Sequence, residues 1–287
     1  RTQQLMEKLR QAGIPLGEYV EGKIYYGIKT GYNEAFVIDE ATKDQLIAED
    51  PKSAEVIKPF LAGRDIKRYE KPTANKHLIF TRRGIEIEKY PAILKHLEQY
   101  RKQLEPRPKN WKGKTNDWPG RKPGTYKWFE IQDAVDYHEE FEKPKIMLPD
   151  IALKAECLYD YGGYYCVNTA YILPTEKTHL LGILNSTLVH FYYSNITSSI
   201  RGGYLRFIRQ YLEQIPIKKD NLLSSKIRQK VEHITMLKQS TPASSTLPLE
   251  AEIDLLVYKL YGLSWAEVKV VDPEFGMSEA AYGEACS

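Results

Sequence analysis

The chain has 287 residues, of which 42% are hydrophobic and 28% charged; this is enough apolar content for one large domain with an appendage or for two modest domains, and it excludes intrinsic disorder as the ground state. The net charge of +3 and the pI near 8.5 are too mild to name a partner. No stretch approaches the roughly 18 consecutive apolar residues of a membrane span, and the first residues lack the charged-then-apolar order of a secretory leader, which predicts a cytoplasmic protein with no membrane partner.

In chain order, Leu5, Met6 and Leu9 line one face of an opening helix that Gly13 and Pro15 stop. Lys23–Ile28 and Ala35–Ile38 are rich in β-branched and aromatic residues and read as strands, and the polar Lys29–Asn33 group between them predicts a hairpin cap. Further strands are predicted at His77–Thr81, Lys145–Leu148, Gly163–Asn168 and Ala170–Leu173, with a helix from about Tyr90 to Leu104. Residues 105–128 carry Pro106, Pro108, Pro119 and Pro123 with Gly113, Gly120 and Gly124, which forbids a continuous helix or central strand and predicts a long exposed loop.

Leu180–Tyr193 has the spacing of one apolar core helix, with Leu180, Leu184, Leu188 and Phe191 aligned. Thr197–Phe207 reads as a flexible turn into a strand, and Tyr211–Ile217 closes a domain with a boundary near Lys218. Beyond it, Ile227, Val231 and Ile234, then Leu249, Ile253, Leu256 and Leu260, predict two amphipathic helices joined by the linker Ser240–Pro248. Ser264 and Glu267 fit a capping box for a last short helix. The predicted class is α+β: a mixed-sheet body with long loops over residues 1–217, then an α-helical appendage over 218–287 that serves as a docking or structural element.

Catalytic patterns are missing. A methyltransferase of adenine needs a glycine-rich cofactor loop and an Asn/Asp-Pro-Pro-aromatic motif; Asp160-Tyr161-Gly162-Gly163 and Asn168-Thr169-Ala170-Tyr171 fit neither and read as a strand with its turn. A restriction-type nuclease needs two acids and a lysine around a magnesium ion. Asp65-Ile66-Lys67 matches half of that pattern, with Asp39, Asp44 or Asp50 as the distant acid, but such spacings arise by chance in a charged chain. The six histidines lack paired metal spacing, and Cys157, Cys166 and Cys286 lack zinc or redox spacing, so the thiols are read as structural in a reducing compartment. No catalytic or metal residue is therefore assigned. Arg1 opens inside a helical pattern without an initiator Met, and the chain is expected to be a fragment of something longer.

Charge distribution says more than net charge. Residues 218–287 hold 8 Lys+Arg against 10 Asp+Glu, leaving 33 against 28 in residues 1–217. Residues 107–128 hold seven basic groups against Asp117 alone, with three of the four tryptophans. Lys and Arg neutralise phosphates, planar side chains read or stack on bases, and loops enter grooves. Four segments combine these features: Lys29, Thr30, Tyr32 and Asn33; Arg64, Lys67 and Arg68; Trp111, Lys112, Trp118, Arg121, Lys127 and Trp128; and Arg201, Tyr204 and Arg206 around a Gly-Gly turn. Each also has a plain structural reading, as a turn, a solvated charge run, a loop anchored by its tryptophans, or an arginine flanking buried Phe207.

Several stretches resemble the TaqI-like C-terminal specificity domain, the target-recognition part of adenine-N6 DNA methyltransferases and type IIG restriction-modification enzymes. They are Gly27–Asp39 (GIKTGYNEAFVID), Lys58–Tyr69 (KPFLAGRDIKRY), Lys145–Ile151 (KIMLPDI), Asn168–Tyr171 (NTAY) and Ser198–Phe207 (SSIRGGYLRF), running on to Gln214-Ile215-Pro216. The match spans about residues 15–217, and the terminal helices are similar to the helical tail of type IIG proteins. The resemblance implies double-stranded DNA as partner and a separate methyltransferase domain or subunit that flips the adenine and uses S-adenosylmethionine, with magnesium where the parent cleaves. It implies no cofactor in this chain and fixes no base-contacting residue. Two alternatives stay open: a magnesium-dependent endonuclease fragment using Asp65 and Lys67, and a protein-docking assembly subunit without DNA affinity.

Overall fold

The computed structural model describes residues 1–285, so Cys286 lies outside the described residues. In chain order the strands are β1 (Ile14–Pro15), β2 (Tyr25–Tyr26), β3 (Val37–Asp39), β4 (Ile57–Leu61), β5 (Lys76–Ile79) and β6 (Lys145–Pro149). They continue with β7 (Ile151–Ala152), β8 (Leu158–Asp160), β9 (Tyr165–Cys166), β10 (Ala170–Pro174), β11 (Leu205–Arg206) and β12 (Pro216–Ile217). A central antiparallel sheet has the order β2-β10-β6-β8, and a second sheet has β3-β5-β4-β9 with a parallel β4/β9 pair. Two short ribbons, β1/β12 and β7/β11, complete the strands. The fold is α+β, with helices gathered in the C-terminal part.

Side-chain alternation along the central strands separates two cores. Ile146, Leu148, Tyr159, Tyr171 and Leu173 face a helical layer, while Met147, Leu158, Ala170 and Ile172 face the second sheet; period-2 geometry sends successive residues to opposite faces. The helical layer contains Thr2–Ala12, which buries Leu5, Met6 and Leu9 as its spacing predicts. It also contains the tail helices Asn221–Ser240 and Leu247–Leu260, which bury Ile227, Val231 and Ile234, then Ile253, Leu256 and Leu260. The linker between them and the capping box of Ser264 with Glu267 also match their sequence patterns. Lys8 ties the first helix to the tail through Glu267 at 2.6 Å and the Gly262 carbonyl at 2.8 Å.

Several local expectations are corrected. Lys29–Asn33 does not cap a hairpin, because β2 pairs with β10 and β3 with β5, and Asn33–Phe36 forms a helical turn where Ala35 was expected in a strand. The segment therefore crosses from one sheet to the other. The strand predicted over Lys23–Ile28 reduces to β2, and that over Gly163–Asn168 to β9, with a bridge joining Ile28 to Val167. The helix predicted over Tyr90–Leu104 divides into Pro91–Glu98 and Arg101–Leu104, with the Tyr100 ring against Tyr32 and His96. The apolar helix over Leu180–Tyr193 is two, His179–Leu184 and Thr187–Ile196. Asn185 leaves the helix to bond both backbone groups of Cys157 at 2.9 Å, and the Ser186 hydroxyl caps the second helix by accepting from Val189 N.

Tail and body meet closely at Gly182, where a Cβ would lie 2.8 Å from Ile227 Cγ2 and 3.0 Å from Val231 Cγ2. Gly182→Leu should therefore overpack the junction and cost about 1–3 kcal/mol, read as a lowered denaturation midpoint with one cooperative transition.

A second seam depends on pH. His179 is buried and its Nε2 lies 2.9 Å from the Tyr19 hydroxyl. Burial, reinforced by Lys177, Lys219 and Arg228, pushes the imidazole down to about 4 from 6.5. The unfolded chain thus takes up the proton first, so stability declines as pH falls from about 6.5 toward about 4. The decline amounts to up to roughly 3 kcal/mol. Denaturation at a series of pH values should show that slope in the parent chain and its reduction in His179→Gln.

Candidate nucleic-acid interface

The basic segments are placed by backbone geometry before any side chain acts. Gly27 lets the β2 exit pass against the second sheet, since a Cβ there would sit 1.8 Å from the Val167 carbonyl oxygen. The following turn is braced from within: Thr30, 1% exposed, donates to Asn33 Oδ1 at 2.6 Å, and Lys29 N donates to Asp133 Oδ2 at 2.8 Å. Lys29 and Asn33 remain exposed, while Tyr32 is half-buried with its hydroxyl donating to Glu34. Thr30 and Asn33 shape the turn, and Lys29 is its exposed cation.

From that turn a run of hydrogen bonds leads to two other predicted segments. Tyr137 OH donates to the Tyr26 carbonyl at 2.7 Å, and Tyr26 OH donates to Asp150 Oδ2 at 3.1 Å. Burial and then the Asp150 carboxylate hold the Tyr26 phenol well above its usual range, so it stays a donor. Asp150 N donates to the Thr169 carbonyl, whose side-chain Oγ1 accepts from Gly63 N at 2.9 Å and so places the Gly63–Asp65 turn that carries Arg64. The Asp150 carbonyl accepts from Phe207 N at 2.7 Å, beside Arg206, which pairs with Ile151 across β7/β11. Phe207 stacks on Tyr193 at 4.6 Å, so buried Leu205 and Phe207 push Arg206 outward between them. Gly202 and Gly203 adopt φ of +85° and +80°, a region costly for other residues, and leave Arg201 and Tyr204 exposed at the hairpin tip. The turns bearing Lys29, Arg64 and Arg206 are thus physically connected. Tyr26, Tyr137 and Asp150, which connect them, carry no charge-run signal, and only the position of Asp150 at the end of an apolar strand hinted at them.

Lys67 is exposed next to buried Ile66, but Arg68 turns inward, and its reading as a phosphate anchor is corrected. Its Nε and Nη2 donate to the Ala155 carbonyl at 3.2 and 2.9 Å, and Nη1 pairs with Glu250 of the tail at 3.2 Å. These contacts take three of its five N–H donors and turn the side chain toward the body. It fastens the tail helix to the body.

The long loop is ordered rather than loose. Its ends are joined by Arg107 N to the Arg121 carbonyl and Arg121 N to the Glu105 carbonyl, with Trp118 Nε1 donating to the same Glu105 oxygen at 3.1 Å. Trp111 and Trp118 meet edge-to-face at 5.5 Å and are both half-buried, forming a small interior of the loop, while Lys112 is exposed at its tip. Lys127 is exposed, and Trp128 is half-buried under Arg101 at 4.5 Å. The expectation that Arg121 faces DNA is corrected: it is 4% exposed, and its donors are taken by the Leu104, Thr30 and Trp128 carbonyls.

The residues weighed for catalysis hold local structural hydrogen bonds. Asp160 forms a buried ion pair with Lys145 and accepts from Gly162 N and Tyr164 N, so its carboxylate is held within its own strand and turn. Thr169 of the Asn168–Tyr171 run is committed to Gly63. Asp65 accepts from Ala62 N, Asp39 caps a helix through Thr42 N, and Asp50 accepts from Lys52 N. Among the described residues no group of three or more His, Cys, Asp or Glu could hold a metal ion, and no helix is long and apolar enough to cross a membrane. Cys157 and Cys166 are buried, which pushes both thiols up to about 12, away from nucleophilic or ligand chemistry.

The chain is similar to known proteins over much of its length. Residues 58–217 match the model of the TaqI-like C-terminal specificity domain. The type II methyltransferase M.BstVI of Geobacillus stearothermophilus is 24% identical over 256 residues, covering 87% of this chain and 40% of its own. The type II methyltransferase M.PaeR7I of Pseudomonas aeruginosa is 24% identical over 264 residues, covering 90% and 41%. The chain thus spans about two fifths of the length of these curated relatives. The type IIL restriction-modification enzyme MmeI, solved in complex with DNA, aligns with a TM-score of 0.60 at 15% identity over 91% of this chain and 35% of its own, a likeness of fold.

Gly27→Ala should force β2 away from Val167 and destabilise the protein by about 1–3 kcal/mol. Denaturant titration measures the loss as a lowered midpoint.

Proposed function

The chain belongs to the family of TaqI-like C-terminal specificity domains, and from that membership we propose that it reads a DNA sequence on behalf of a methyltransferase domain or subunit. The observation that carries the reading is the connected run from Lys29 through Tyr26 and Asp150 to Arg64 and Arg206, which arrays cations from three separate segments on linked turns. Lys29, Arg64, Lys67, Arg201 and Arg206 contact phosphates, which set affinity and register but carry no sequence information. The tip of the Trp111–Trp128 loop, with Lys112, supplies base discrimination, assisted by Tyr204 at the Gly-Gly hairpin. In this reading residues 1–217 are the reading body and 218–287 an appendage that braces it and docks the partner. The curated relatives are methyltransferases; their methyl donor, and magnesium where the parent also cleaves, would be held outside this chain. The protein would work on duplex DNA in the bacterial cytoplasm.

Lys67→Ala in the full-length protein should weaken binding to all duplexes alike and lower the slope of log affinity against log salt by about 1. Lys112→Ala should instead narrow the gap between a selected and a scrambled duplex by about 1–3 kcal/mol. Fluorescence anisotropy across a salt series separates the two. Absence of any duplex affinity in the parent would favour the assembly-subunit reading and sink this one.

A further inference from the structure

We infer that Arg121 is a positioning residue for sequence discrimination: without touching DNA, it welds both ends of the long loop to the Lys29 turn and so sets where the loop tip stands. The inference rests on the DNA-reading function proposed above.

Arg121 is a buried cation without an ion-pair partner among the described residues. Nε donates to the Leu104 carbonyl at 2.8 Å, Nη1 to Thr30 at 2.9 Å, and Nη2 to Trp128 at 2.9 Å and Lys127 at 3.4 Å. These oxygens belong to three stretches: the loop entry, the loop exit and the turn that presents Lys29. The guanidinium also stacks over Tyr126 at 4.4 Å and Phe36 at 5.4 Å. Burial lowers the group to about 10, which leaves it charged at neutral pH.

Packing alone does not call for this arrangement, because an apolar side chain would fill the space without the cost of desolvating a charge. A planar fork with five donors can hold carbonyls from several chain segments in one plane; an ammonium of similar charge cannot. The surroundings are cut to fit. Gly31 has φ of +85°, and a Cβ there would lie 2.6 Å from Arg121 Cδ and 2.7 Å from Gln132 Oε1, so a bare glycine seats the arginine stem. Gly120, just before it, passes the Glu105 carbonyl where a Cβ would lie at 2.1 Å. The loop's register on the body is therefore set from beneath. A shift of about 1 Å at the base carries to the tip and spoils base contacts, whose geometry is strict, while phosphate contacts on flexible lysines tolerate it.

The test uses Arg121→Lys in the full-length protein, with selection from a random-sequence duplex pool as probe so that no target need be known. Arg121→Lys should lose on the order of tenfold in enrichment of the sequence the parent selects. Its salt slope on random duplex should stay unchanged, and trypsin should cut faster between Lys109 and Lys114. Arg121→Met, which fills the same buried space without the donor fork, should give the same pattern, and it decides the matter if Arg121→Lys does not fold. Parent-like enrichment in the folded variant overturns the inference. A salt slope reduced by about 1 also overturns it, since that marks a direct phosphate contact. A parent protein that enriches no sequence overturns the DNA reading itself, and the inference with it.

Discussion

The central sheet is buried on both faces, and this constraint organises the rest. Strands β6 and β10 must satisfy a helical core on one side and a second sheet on the other, so every residue from Lys145 to Pro149 is buried. A charge at the start of such a strand needs a partner, and Lys145 has one: its ammonium is wholly buried against Asp160 and donates to the Phe141 carbonyl at 2.5 Å. Burial lowers the Lys145 group, and Asp160 opposes that shift. Removing one member of a buried pair typically costs about 3–5 kcal/mol because the other is stranded. Here Asp160 also closes the turn through Gly162 and Tyr164, so the pair holds the sheet's edge and the turn beyond it together.

With both faces occupied, the central sheet offers a partner only its ends and the crossings that leave it. The candidate interface is built from these. The turn after β2 carries Lys29, the end of β6 carries Asp150, and β7 pairs with the hairpin that carries Arg206. Rigid strands fix the spacing, and the exposed residues sit on short turns whose own polar groups are already paired. The exposed cations therefore stand on turns whose spacing the strands hold.

Two arginines illustrate a division of labour that charge patterns hide. Arg68 joins the tail to the body through Ala155 and Glu250, and Arg121 joins the loop to the Lys29 turn through carbonyls. Both sit in basic, phosphate-binding-like runs, yet both face inward. The cations of the same runs that remain exposed are Arg64 and Lys67 near Arg68, and Lys112 and Lys127 in the loop that Arg121 anchors. The tail is likewise tied to the body by specific polar contacts, with Asp254 accepting from Thr187 N and Oγ1 at 2.8 and 2.6 Å.

The amino-acid sequence by itself determined the class, the opening helix, the tail helices, the capping box of the last short helix, the family resemblance and the four basic segments, because each follows from local spacing or short motifs. Counting leucines misses the break in the apolar helix, although Ser186 is a residue type that caps helices. Tertiary structure alone decided that the strands flanking Lys29 go to different sheets, that Tyr26 and Asp150 link the basic turns, and which arginines point inward. The physical reason is range. Strand partners and buried guanidinium acceptors lie far away in sequence, as Thr30 does for Arg121 and Glu250 for Arg68, and a residue's exposure depends on those partners and not on its neighbours in the chain.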